Sequence, residues 1–303
     1  MAEIIQKDGT WTFDGDTVRI VPGRDKGVGL LRQTLGEVAV PLRAVAGISY
    51  EPGRKSGRLR LRLRDGADPL LQVTGGRLAE ASDPYRLSVE TDRSGVAEYF
   101  VDEVRNALLL EQVESGPTVA YLLPGPPVPV TVSAGDGTVA FDGDRVVLEW
   151  NWKTEDAKSS GGARSFRAAD VKAVEWTPAV GLENGWLRFT LAGATASAPA
   201  PKYDPHAVEL FGFKKDPLMA LVAAAVAVRL PHPGAAAAEE APAALAAAGG
   251  SLGLPGGASG AAEEPVDHDA LLRRLRELGE LHQSGILTAD EFTAAKQAVL
   301  RRF

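Results

Sequence analysis

Four histidines, two Asp-Gly-Asp triplets and one strand of alternating arginines are the residues of this 303-residue chain whose types and spacing bear on chemistry. The histidines, His206, His232, His268 and His282, have no spacing that puts two on one helix face as metal ligands, and they read as solvated or incidental. Asp14/Asp16 and Asp142/Asp144 are paired carboxylates of the kind that serve acid–base catalysis. Their Asp-Gly-Asp setting instead marks turn residues that hydrogen-bond local backbone. Zero cysteines exclude disulfides, thiolate zinc sites, iron–sulfur clusters and a thiol nucleophile together. Gly249-Gly250-Ser251-Leu252-Gly253 matches the nucleophile-elbow pattern, but it has no strand before it and no helix after it, so it reads as coincidence. With no nucleophile, base or metal set assembled, the expectation is a protein that is not an enzyme and carries no cofactor.

Binding chemistry is better represented. Arg58, Arg60, Arg62 and Arg64 alternate with leucines, so a period of two puts all four guanidinium groups on one strand face. Arg54 and Lys55 precede them in a turn, and Arg24 and Lys26 lie in an earlier glycine-rich loop. Guanidinium forks there suit phosphate headgroups or an acidic peptide. The competing reading is a solvated face whose charge prevents edge aggregation. The later half has only Arg188 in the matching strand, and is rich instead in Trp150, Trp152, Trp176, Trp186, Phe211 and Phe213. Val146, Leu148, Trp150 and Trp152 alternate onto one face, which predicts core or packing between units rather than an exposed groove.

The elements that hold these residues occur twice. Asp8-Gly9-Thr10-Trp11-Thr12-Phe13-Asp14-Gly15-Asp16 returns 128 residues later as Asp136-Gly137-Thr138-Val139-Ala140-Phe141-Asp142-Gly143-Asp144. Asp-Gly between alternating apolar runs predicts a hairpin opening each half. Val45 to Pro52 is answered by Val171 to Pro178, the arginine strand by Gly185 to Leu191, and Asp83-Pro84 by Asp204-Pro205 before a last strand. Each half finishes in a helix, near Val96 to Leu110 and near Pro217 to Arg229, the second with Asp216 as its expected N-cap and Pro217 in its first turn. A stiff Pro-rich connector from Glu114 to Pro129 should limit reorientation of the halves.

The fold class is therefore mainly β (α+β). Six or seven short antiparallel strands closed by one helix resemble the pleckstrin-homology-like (PH-like) fold of bacteria. The duplicated pattern resembles a tandem bacterial domain of unknown function in which two such units precede a short C-terminal module. The divisions are 1–114 for the first repeat, 128–230 for the second, 231–266 for an Ala/Gly/Pro/Glu linker read as disordered, and 267–303 for a helical hairpin. In that tail, Leu271, Leu275 and Leu278 recur at helical spacing. After Ser284-Gly285-Ile286-Leu287-Thr288, a second helix carries Phe292 and Leu300 on one face. This resembles the SHOCT module. So small a hairpin cannot cover its own apolar faces, which predicts association through those five residues.

A formal charge of −7 argues against nucleic acid as a partner. No apolar run is long enough to span a bilayer and no secretory signal is visible, so a cytoplasmic location is expected. The expected partners are a protein recognised by the repeats or a second copy met through the tail. A peripheral adaptor making weak contact with anionic membrane is the alternative.

Overall fold

The computed structural model describes residues 1–193 and 198–235. The first repeat begins with β1 (Ala2–Gln6), β2 (Gly9–Phe13) and β3 (Thr17–Pro22), followed by α1 (Leu30–Leu35) and β4 (Val38–Pro41). These four strands form one antiparallel sheet in chain order. A second sheet comprises β5 (Val45–Glu51), β6 (Ser56–Leu63) and β7 (Arg86–Glu90), with α2 (Pro69–Thr74) between the last two. α3 (Ser94–Leu110) closes the unit. The second repeat follows the same plan. Its four-stranded sheet has β8 (Val130–Ala134), β9 (Gly137–Phe141), β10 (Arg145–Trp150) and β11 (Arg164–Arg167), with α4 (Asp156–Ser159) before the last. β12 (Val171–Thr177), β13 (Gly185–Leu191) and β14 (Ala207–Leu210) form the three-stranded sheet, and α5 (Met219–Ala227) closes it. The mainly β class and the two closing helices are as expected.

The Asp-Gly-Asp turns behave as their chemistry dictates. Asp14 Oδ1 accepts from the backbone N–H groups of Asp16 and Thr17 at 3.0 and 2.8 Å, while Gly15 takes φ 111°. Asp142 repeats both bonds, and Gly143 takes φ 113°. Two backbone donors on each carboxylate hold Asp14 and Asp142 below the ordinary carboxylate range. A strand precedes each of these hairpins, so each repeat opens as a meander of three strands. The Asp8-Gly9 and Asp136-Gly137 dipeptides are themselves at hairpin turns.

Inside the first repeat, Trp11 is fully buried and meets Phe100 of α3 edge-on at 6.3 Å, over Leu59, Leu61 and Leu63 from β6. α3 keeps a solvent face, with Tyr99, Leu109 and Leu110 exposed. α5 has none, since every residue of Met-Ala-Leu-Val-Ala-Ala-Ala-Val-Ala is buried. A helix apolar all round needs neighbours on both sides. Its own sheets cover one side, and α2 of the first repeat covers another. Leu31, Leu70 and Val73 accordingly belong to the second repeat's core cluster. Arg77, just past α2, donates from Nη2 to the Trp176 carbonyl at 2.8 Å and from Nη1 to Thr177 Oγ1 at 3.2 Å. The two repeats thus form one compact unit around a common core.

α2 marks where the duplication is unequal. Asp136 lies 128 residues after Asp8, but Asp204 lies only 121 after Asp83, so the first repeat is longer between β6 and its last strand, where α2 sits. Asp68 caps this helix by accepting from the N–H groups of Leu70 and Leu71, Pro69 occupies its first turn, and left-handed Gly75 (φ 55°) ends it. Tyr85 Oη donates to Asp68 Oδ2 at 2.7 Å in the interior. Burial raises the Asp68 carboxyl above its ordinary value, and burial beside that carboxyl raises the Tyr85 phenol well above 10.0.

Three expectations are corrected. Asp216 does not cap its own helix. Its Oδ2 accepts from the N–H groups of Gly212 and Phe213 in the loop before it, and Lys215 stands at the cap position. Trp152 does not continue the alternation of Val146 and Leu148, because β10 ends at Trp150. There Asn151 N–H turns to the Asp136 carbonyl, its amide donates to the Gly135 carbonyl, and Trp152 is left 89% exposed. His232 is not incidental. Its Nε2 lies 2.9 Å from the Gly66 carbonyl, its Nδ1 accepts from Gly234 N–H, and its ring meets Tyr121 edge-on at 4.6 Å. The bonds on the two nitrogens fix a ring protonated at Nε2. The linker expected over 231–266 is described only to residue 235, and its first residues are held against the first repeat by these contacts. The rest of it, the hairpin 267–303 and the association residues Leu271, Leu275, Leu278, Phe292 and Leu300 lie outside the described residues.

Candidate binding surfaces

β6 is the central strand of its sheet, and its pleat turns Leu59, Leu61 and Leu63 inward and Arg58, Arg60 and Arg62 outward. The four arginines have different surroundings. Arg58 Nε lies 3.2 Å from Glu80 Oε1, which is also 3.7 Å from Arg86 Nη1. Arg86 is held besides by Asp83 at 2.9 Å. Arg64, past the strand end and mostly buried, donates to the Gly116 and Arg43 carbonyls and meets Glu114 at 3.3 Å. It fastens the connector to the first repeat and leaves the outer face. Arg60 and Arg62 remain. Among the described residues neither has a carboxylate within 4.0 Å, and both line a shallow recess of about 210 Å³ with Gly47, Ile48 and Ser49. The outward cationic face thus narrows from four arginines to two. The Glu80 that neutralises Arg58 could not be assigned from the sequence, since it lies 22 residues further along the chain.

Lys55 and Arg58 also line a larger cleft of about 760 Å³ at one end of the first repeat, with Lys7, Asp8, Asp25, Gly27, Arg32, Glu80 and Glu90. Arg24 and Lys26 flank Asp25 in the exposed loop after β3, and Arg54 is exposed in the β5–β6 turn. The cleft mixes both signs of charge. At its rim Lys7 Nζ meets Glu90 Oε1 at 2.5 Å, which raises the lysine and lowers the carboxylate. At its floor Asp8 Oδ2 accepts from Ser88 N–H at 3.0 Å, and Arg32 Nη2 donates to the Asp8 carbonyl at 2.9 Å. Burial pushes the Asp8 carboxyl up, against those two groups.

The counterpart of Asp8 is more deeply enclosed. Asp136 Oδ1 accepts from Glu209 N–H at 2.8 Å, and Lys158 Nζ lies 2.6 Å from Asp136 Oδ2, also facing the Trp150 ring at 4.5 Å. In both repeats an aspartate in the turn before β2 or β9 ties the four-stranded sheet to the last strand of the other. A cation from α1 or α4 neutralises it. This arrangement uses its charges internally and is structural.

The aromatic residues of the second repeat divide. Trp176 is core, while Trp150 and Trp186 are half-buried. Trp152 and Phe213 are exposed, with Lys153 Nζ 5.5 Å from the Trp152 ring and 4.8 Å from the Phe213 ring. Among the described residues no group of three or more His, Asp or Glu is placed to hold a metal ion, and no helix is long and apolar enough to cross a membrane.

Two mainly β repeats with closing helices, built around a common core, define a tandem-repeat protein. The family described as "Domain of unknown function (DUF4429)" matches residues 11–105 and 139–227, and the chain belongs to it. The family described as "Short C-terminal domain" (SHOCT) matches residues 273–300. No curated protein matches the chain.

Proposed function

We propose that this is a non-enzymatic binding and scaffolding protein, in which the fused PH-like repeats recognise a protein segment and the SHOCT tail drives association. The observation that carries the reading is the burial of α5 on both sides. It supports a rigid platform whose exposed faces, the Arg60/Arg62 face among them, keep fixed positions. Two experiments test it. Capture from native lysate with the full chain should retain a protein that Arg60→Glu/Arg62→Glu loses. Retention of the same proteins by both sinks recognition through this face. Light scattering should give a larger assembly for the full chain than for one ending at Gly260. Equal protomer numbers across a wide concentration range would remove self-association through the tail. A second reading, a peripheral adaptor, is favoured by the absence, among the described residues, of a carboxylate partner for Arg60 and Arg62, which suits anionic headgroups as well as acidic peptide.

A further inference from the structure

The second repeat gathers exposed apolar side chains at one end. Gly185 and Leu210 pair at that end of the three-stranded sheet, so the 178–184 turn and the 211–215 segment emerge together. Leu182 at the turn's tip is 104% exposed, Val180 67% and Phe213 56%. Lys153, whose Nζ lies near the Trp152, Phe211 and Phe213 rings, brings the end of β10 to the same place. Lys214 and Lys215 follow Phe213 and are exposed. Among the described residues none of the three lysines has a carboxylate within 4.0 Å, although Glu155 and Glu183 are near in sequence.

The fold does not require apolar residues here. Two residues past its third strand the first repeat has Arg24, where the second has Trp152. The turn holding Leu182 corresponds to one holding Arg54 and Lys55. Phe213 lies 121 residues after Asp92, the same spacing that relates β14 to β7. One scaffold position is thus charged in one repeat and apolar in the other at three separate loops. Exposed apolar groups grouped in this way mark a contact surface.

We infer that this end of the second repeat is a contact site for an anionic lipid surface, with Trp152, Leu182 and Phe213 entering the interfacial layer and Lys153, Lys214 and Lys215 meeting lipid phosphates. The chemistry favours lipid over peptide. Apolar groups on three neighbouring loops, two of which carry exposed lysines beside them, match the two layers of a bilayer interface, where aromatic rings sit at headgroup depth and ammonium groups reach anionic charge. The chain's net charge of −7 opposes approach to such a surface unless cations are grouped locally, as these are. The site is distinct from the Arg60/Arg62 face of the first repeat.

Sedimentation of the full chain with vesicles of phosphatidylcholine and phosphatidylserine in equal parts tests this, with phosphatidylcholine alone as comparison. The protein should sediment with the mixed vesicles and far less with the neutral ones. Trp152→Ala/Phe213→Ala should weaken partitioning about tenfold or more. Lys153→Glu/Lys214→Glu/Lys215→Glu should abolish the preference for phosphatidylserine. Thermal midpoints should change little, since these side chains are exposed, and an unchanged midpoint separates lost contact from lost fold. Arg60→Glu/Arg62→Glu should sediment like the parent. The inference is overturned if the parent sediments with neither vesicle, if the aromatic variant sediments equally, or if only the arginine variant fails. The last result would leave lipid contact to the first repeat.

Discussion

Lys158 Nζ lies 2.6 Å from Asp136 Oδ2 with both side chains closed off from solvent, and Arg32 faces Asp8 at the corresponding place of the first repeat. Removing one member of a buried pair strands the other charge, at a cost of about 3–5 kcal/mol. Lys158→Met should therefore lower unfolding free energy by about that amount in urea titration. Arg32→Met should cost less, because Asp8 keeps partial contact with water. A smaller loss for Lys158→Met than for Arg32→Met would contradict this account.

The common core predicts cooperative unfolding. Leu70→Ala in α2 empties space against the second repeat's core and should cost about 2–5 kcal/mol. Because the space is common to both repeats, hydrogen exchange should rise in α5 as well as in α2. Faster exchange confined to the first repeat would mean that the repeats unfold independently.

Asp68 and Tyr85 give opposite ends of the pH profile a defined sign. The folded Asp68 carboxyl has a raised pKa, so its proton is held more tightly in the fold than in the unfolded chain. Relative to Asp68→Asn, the parent should therefore gain stability as pH falls through the carboxylate range. The Tyr85 phenol is raised well above 10.0, so the stability it contributes is present below that value and declines as pH climbs beyond it. Tyr85→Phe should flatten the alkaline limb, and should cost about 1–3 kcal/mol at neutral pH by leaving Asp68 without its hydroxyl donor. Parallel alkaline limbs for parent and Tyr85→Phe would contradict the assignment.

The arginines of β6 should separate in mutagenesis. Arg60→Glu/Arg62→Glu changes exposed charges and should leave the thermal midpoint nearly unmoved. Arg64→Ala removes side-chain bonds to two backbone carbonyls and should lower it measurably. Equal midpoints for the two variants would show that Arg64 contributes no more than its neighbours.

How much of this was legible follows the range of the interactions. The Asp14 and Asp142 turns were readable because their partners lie two and three residues away. The inward leucines of β6 were readable because the pleat alone sets their direction. Lys158 was not, since its partner is 22 residues back and its Ser- and Gly-bordered segment looks like loop. α1 and α2 are too short for a helical period to show. The apolar run of α5 marks a helix, but sequence alone does not say that α2 of the other repeat covers its second face. The exposure of Trp152 is not legible, because alternation carries no signal for where a strand stops.

The unequal length of the repeats makes the contact between them asymmetric. Stacked repeat proteins lengthen because every unit offers the same two complementary faces, so another copy can always be added at the end. Here α2 supplies one face and the all-apolar α5 the other, and the second repeat is seven residues shorter in the segment where the first forms α2. α3, which stands where α5 does, turns Glu98 and Asp102 to water beside the exposed Tyr99, Leu109 and Leu110, so it does not repeat the all-round burial of α5. Among the described residues the α2–α5 contact thus occurs once, and it joins the repeats as an unlike pair and not as one link of a repeating series.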